Sequence, residues 1–298
     1  MAFANGRNCM RRSGWDWRGI KGARAAARRV ITLLLVAFGL FPVPGISQNA
    51  EVDWPNTGPD VDVALVLAVD ISYSMDHEEQ ALQRDGYIAA LSSPEVIDAI
   101  RKGMIGKIAV TYIEWAGTQT RNVVVDWHIV EDTASAKAFT DILRAAPIRR
   151  GRRTSITGAI DISVEMLRAA KLRPIRRVID ISGDGPNNEG TPVTISRDRA
   201  LRAGVIINGL PIILKRGYGS SFDIDNLDEY YADCVIGGPG SFMNVITQRE
   251  QFRSAIRSKI LREVAQSSQS DAPSGQSQPG RTDCMVGERQ WRQNWDRN

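Results

Sequence analysis

The sequence predicts an α/β fold, a doubly wound, mostly parallel sheet with helices on both faces. Three observations predict it. The run from Val63 to Val69 is apolar throughout and stops at Asp70, as a strand buried on both faces does. Between residues 61 and 265, strand-like and helix-like segments alternate, the pattern of a sheet covered on both sides. Carboxylates and hydroxyls gather just after two of those strands, at Asp70-Ile71-Ser72-Tyr73-Ser74 and Gly183-Asp184-Gly185-Pro186-Asn187-Asn188. In open α/β sheets, ligands collect beyond the carboxyl ends of the strands.

The elements follow in order. After the first strand, residues 76–91 carry a helical pattern with Leu82, Ile88 and Leu91 among polar residues. Residues 105–115 alternate as a strand, and residues 122–129 as a second, short one at an edge. A helix is expected from Ser135, with its hydroxyl as N-cap, to Ala146 before Pro147. A basic loop, Arg149-Arg150-Gly151-Arg152-Arg153, leads to Thr154-Ser155-Ile156-Thr157, which opens a helix to Ala170. Residues 177–182 form a strand, and residues 191–203 a helix with Pro192 in its first turn. Residues 205–214 form a strand interrupted at Pro211. Residues 250–265 are an amphipathic helix with Phe252, Ile256, Ile260 and Leu261 on one stripe.

Charge separates the N-terminus from the rest. The chain of 298 residues has a formal charge of +4. Residues 1–47 hold eight basic side chains and one acid, and removing them leaves 30 basic and 33 acidic residues. The basicity is therefore not that of a nucleic-acid-binding body. A basic region ending at Arg28-Arg29, an apolar run from Val30 to Phe41 and small residues up to Ser47 read as an export signal over 1–47. The apolar run is too short to cross a hydrocarbon core of about 30 Å as a helix. An uncleaved anchor is the alternative, and only then would a membrane be a partner. Residues 48–60 read as a linker, residues 61–265 as the folded domain. Residues 266–298 read as a Ser/Gln/Pro-rich tail with Cys284, its stretch to Arg281 disordered. Cys9 falls in the signal, which leaves Cys234 and Cys284 as an even pair in an exported chain, a candidate disulfide. The expected setting is the periplasm or the cell exterior.

Asp70, Ser72 and Ser74 offer only hard oxygen donors, a set suited to Mg²⁺, Mn²⁺ or Ca²⁺ rather than zinc or copper. With Thr154 and Asp184 they match, in order and separation, the metal-ion-dependent adhesion site of the von Willebrand factor A (vWA) domain family, which residues 60–265 resemble. More narrowly, residues 178–188, 207–212 and 230–240 resemble segments of an exported bacterial family known as DUF1194. The resemblance implies a Rossmann-like vWA fold and metal ligands Asp70, Ser72, Ser74, Thr154 and Asp184. It implies a protein partner whose Glu or Asp completes the ion's coordination, hence an adhesion-type binding domain. Arginines stand where the family usually has glycines before the Thr, and Ser155 and Thr157 are rival hydroxyls.

Two other readings carry less. The segment 183–188 also resembles the late motif of haloacid-dehalogenase-type phosphatases, but Ser72 and Asn188 stand where those enzymes need carboxylates. A metal-dependent hydrolase is thus an alternative without a catalytic constellation, since His77 is the only imidazole near Ser72 and Ser74. A domain whose ion only stabilises the fold is another. Glu114-Trp115 ends a strand, with Glu114 expected as a loop acid beside a core Trp115 and an approach to the metal as the alternative. Residues 223–228 are expected as an acidic helix start rather than a calcium loop.

Overall fold

In a computed structural model of the chain, residues 54–55, 57–214, 224–265 and 282–295 are described. The expected export signal and the Ser/Gln-rich stretch over 266–281 lie outside them. Five strands form one sheet: β1 (Asp60–Asp70), β2 (Ile108–Trp115), β3 (Arg121–Val130), β4 (Arg173–Gly183) and β5 (Val205–Pro211), in the order β3-β2-β1-β4-β5. All neighbours are parallel except β3, which runs antiparallel at the edge. The apolar run around Leu65 is the central strand, flanked in the sheet by β2 and β4 and covered by helices on both faces.

Alternation of side chains along β1 divides the core in two. Val63, Leu65, Leu67 and Val69 face a layer built by α1 (His77–Leu91), α2 (Pro94–Arg101), α3 (Thr133–Ala145) and α7 (Phe252–Ala265). Ala64, Val66 and Ala68 face the layer of α4 (Ile156–Ala169), α5 (Val193–Arg202) and the short α6 (Leu227–Tyr230). Each fully buried Val or Leu contributes about 1.5–3 kcal/mol. A π-helical turn, Tyr231–Val235, follows α6, and a ten-residue helix α8 (Val286–Trp295) lies in the tail.

Several boundaries differ from expectation for local reasons. The N-cap of α3 is Asp132, with Ser135 as the reciprocal partner in a capping box, so the helix starts before Ser135. β4 begins at Arg173 because its charged lead is satisfied. Arg173 pairs with Asp60 at 2.7 Å, Arg176 donates to the Glu263 carbonyl at 2.6 Å, and Arg177 stacks 4.3 Å over the Trp54 ring. β5 ends at Pro211, which has no N–H to continue the ladder. Ser93 caps α2 with Pro94 in its first turn, an element the amphipathic pattern alone did not announce. Cys234 and Cys284 form a disulfide with Cα atoms 5.5 Å apart. Among the described residues, no helix is long and apolar enough to cross a membrane.

Between the sheet and α7 lies a buried charged network that sequence patterning did not reveal. Lys259 is 2.9 Å from Asp180 and 2.8 Å from Glu263, and all three are fully buried. Asn208 donates to both Glu263 oxygens at 2.8 Å and accepts the Phe242 N–H at 2.8 Å. Burial pushes the Asp180 carboxyl up to about 6, against the pull of the Lys259 charge.

Candidate metal centre

Three loops meet at the carboxyl edge of the sheet. The first follows β1. Asp70 is fully buried at the strand end, where the Ser72 N–H donates to its Oδ1 at 2.7 Å. The Ser74 hydroxyl donates to Asp184 Oδ1 at 2.6 Å, and Ser72 Oγ lies 2.6 Å from Ser74 Oγ. Asp184 therefore comes to the first loop although 110 residues separate it from Ser74. The third loop is stitched to both. Gly151 N–H donates to the Ile71 carbonyl at 2.8 Å. Thr154 donates its N–H to Asn188 Oδ1 at 2.9 Å and accepts the Asn188 N–H at 2.8 Å.

The rival hydroxyls are otherwise engaged. Ser155 caps α4 through the Gly158 N–H and donates to the Glu189 carbonyl at 3.0 Å. Thr157 shares hydrogen bonds with Thr191 and Ser196 at 3.0 and 2.7 Å. Thr154 is nearly buried, and its hydroxyl makes no hydrogen bond among the described residues.

Two acids stand close together at the site. Burial, and then the Asp184 charge, push the Asp70 carboxyl well above the usual carboxylate range. Asp70 Oδ2 is buried and accepts no hydrogen bond among the described residues. Beside it, a Cβ on Gly183 would sit 3.0 Å from both Asp70 Oδ2 and the Tyr231 hydroxyl. That close approach explains the glycine. It also adds Tyr231 to the site's surroundings, a residue for which the sequence offered no signal. An orphaned carboxylate oxygen, a second acid and neutral hydroxyls suit a hard divalent cation. Among the described residues there is no group of three or more His, Cys, Asp or Glu able to hold a metal, so hydroxyls would have to fill the remaining positions.

Glu114 is not a loop acid. It is buried at the end of β2 and ion-paired to Arg84, whose guanidinium also donates to the carbonyls of Ala146 at 2.5 Å and Pro147 at 3.2 Å. Burial raises its carboxyl while Arg84 opposes the rise. The pair thus holds the start of the basic loop. Trp115 is in the core as expected. His77 is exposed in the first turn of α1, so neither serine has it as a buried base.

The rim is arginine-rich. Arg150 donates to the Tyr73 and Met75 carbonyls at 2.8 and 2.7 Å and lies 4.9 Å over the Tyr73 ring. Arg153 adopts a left-handed φ of 70° and stacks 3.4 Å over Trp291. Arg149 and Arg152 are exposed, and none of the four arginines has an ion-pair partner among the described residues.

This fold is found in vWA domains. Proximal thread matrix protein 1 from the mussel byssus, solved with a zinc-occupied MIDAS motif, matches with a TM-score of 0.50 at 12% identity, over 70% of this chain and 49% of that one. The pilus adhesin SpaC from Lactobacillus rhamnosus GG in its open conformation matches with a TM-score of 0.50 at 13% identity, over 71% of this chain and 30% of that one. A von Willebrand factor type A structure from Catenulispora acidiphila has a TM-score of 0.48 at 13% identity, over 69% of this chain and 43% of that one. The chain spans half or less of the length of these proteins, and the likeness is one of fold. No curated protein matches. A family model described as a protein of unknown function (DUF1194) matches residues 60–268.

Proposed function

The chain belongs to that DUF1194 family, and we propose that it is an exported, adhesion-type binding domain that docks an acidic residue of a protein partner through a divalent cation. Asp70, Ser72, Ser74, Thr154 and Asp184 would hold the ion. The observation that carries this reading is Asp70: a fully buried carboxylate with an orphaned oxygen, beside a second acid and with no ion pair of its own among the described residues. The ion supplies the missing positive charge and an open coordination position for a carboxylate. Oxygen-only donors favour Mg²⁺, Mn²⁺ or Ca²⁺, although the mussel byssus protein was solved with zinc in its motif.

This chain's residues do the rest. Neutral hydroxyls fill coordination positions without cancelling the ion's charge, so the ion stays electrophilic. Arg149 and Arg152 at the rim raise the local positive potential and attract an acidic surface. Residues 1–47 would direct export to the periplasm or cell surface, the oxidising setting that the disulfide fits.

Affinity capture from the exported protein fraction tests the reading. The domain should retain a partner in Mg²⁺ and release it on EDTA, and folded Asp184→Ala should retain none. Capture indifferent to EDTA and to Asp184→Ala would overturn it.

A further inference from the structure

The tail returns to the candidate site from the far side of a long polar segment. Residues 266–281 are Ser, Gln, Gly, Pro and charged residues with a single alanine, so nothing apolar in them would anchor α8. The Cys234–Cys284 bond does so, closing a separation of 50 residues. Helices as short as α8 are marginal alone, so its order depends on what it docks against.

It docks on the loops that carry Thr154 and Asp184. Glu288 Oε1 accepts the Asn187 Nδ2–H at 2.7 Å, and Asn187 lies between Asp184 and Asn188, the partner of Thr154. Arg153, immediately before Thr154, stacks on Trp291. At Gly287 a Cβ would fall 2.1 Å from the Asn187 carbonyl oxygen, so the helix backbone presses directly on the loop. Asn187 is itself fully buried. It accepts the Thr157 N–H at 3.1 Å and donates its own N–H to Tyr230 at 3.1 Å. The other end of the tether, Cys234, belongs to the turn that begins with Tyr231, beside Asp70. Both ends of the tether therefore reach the site.

We propose that α8, tied by Cys234–Cys284, is a clamp that fixes the spacing of the Thr154 and Asp184 loops, with Glu288 as its positioning residue. The proposal rests on the metal reading for its consequence, tighter ion binding, but not for the clamp itself. Coordination needs its ligands placed closely, and residues that orient ligands typically change metal affinity 10–100-fold. The 151–157 loop is bonded to Ile71, Ala116 and Gly117 through its backbone, and the tail adds a surface that bears on both loops at once.

The test compares the full chain with the Cys234→Ser/Cys284→Ser variant, Glu288→Ala and Glu288→Gln. Val264→Ala, on the opposite face of the sheet, serves as a stability control. Hydrogen exchange without metal reads the loops at 151–157 and 184–191, and Mn²⁺ titration reads the site. The disulfide variant and Glu288→Ala should speed exchange in both loops and weaken Mn²⁺ about tenfold. Glu288→Gln keeps the acceptor for Asn187 and should restore both, and Val264→Ala should change neither. Unchanged loop exchange, unchanged Mn²⁺ affinity beside faster exchange, or an equal effect from Val264→Ala would each overturn the clamp. A wild-type chain that binds no Mn²⁺ while its loops slow and quicken as expected would sink the metal reading and leave the clamp standing.

Discussion

Asp70 and Asp180 are both fully buried carboxylates on neighbouring strands, and burial pushes both upward. Their surroundings differ in one respect. Asp180 faces Lys259, which Glu263 shares, and accepts the Tyr87 hydroxyl at 3.4 Å, while Asn208 donates to both Glu263 oxygens. Asp70 faces backbone N–H groups, hydroxyls and another acid. Within one sheet, one acid is paired with a buried cation and the other has no such pair among the described residues. A buried charge without compensation is costly, and on the proposed reading a bound divalent cation would supply the balance at Asp70. On that reading the difference separates a structural ion network from a proposed binding site more clearly than acidity or burial alone.

The sharpest way to break the comparison is to make the Asp180 region resemble the Asp70 region. Lys259→Met leaves Asp180 and Glu263 buried without their cation. It should cost about 3–5 kcal/mol in denaturant unfolding, while Mn²⁺ binding by the folded fraction persists. A loss below 1 kcal/mol would mean that the network is not holding charge as described. At the smaller end, Asp70→Asn in metal-free buffer removes a carboxylate that repels Asp184 and keeps the acceptor for the Ser72 N–H. Its stability should stay within about 1 kcal/mol of wild type or rise slightly. A fall as large as that of Lys259→Met would make Asp70 a structural acid and erase the contrast.

What the sequence disclosed follows the range of the interactions. The central strand, its terminal Asp70 and the hydroxyls at Ser72 and Ser74 are contiguous, so an apolar run and its polar end announce them. Thr154 and Asp184 come from separated loops, and family resemblance nominated them. Ser155 and Thr157 are set apart from Thr154 only by their hydrogen bonds in three dimensions. Lys259 and Glu263 were opaque because an i,i+4 pair on an amphipathic helix reads as a solvated salt bridge. Glu114 was misread because Arg84, its partner, lies 30 residues earlier on another element. The Asn187–Glu288 contact spans 101 residues and a polar segment with no periodicity, so no local pattern could announce it.

The central claim, that Asp70 awaits an external cation, is tested most directly by Mn²⁺ titration of the folded chain followed by electron paramagnetic resonance. The account predicts one saturable site that Mg²⁺ displaces. At a hundred times its dissociation constant the ion should raise stability by about 2.7 kcal/mol, and Asp70→Asn should lose both effects while remaining folded. Absence of saturable binding, or a site that survives Asp70→Asn unchanged, would contradict it.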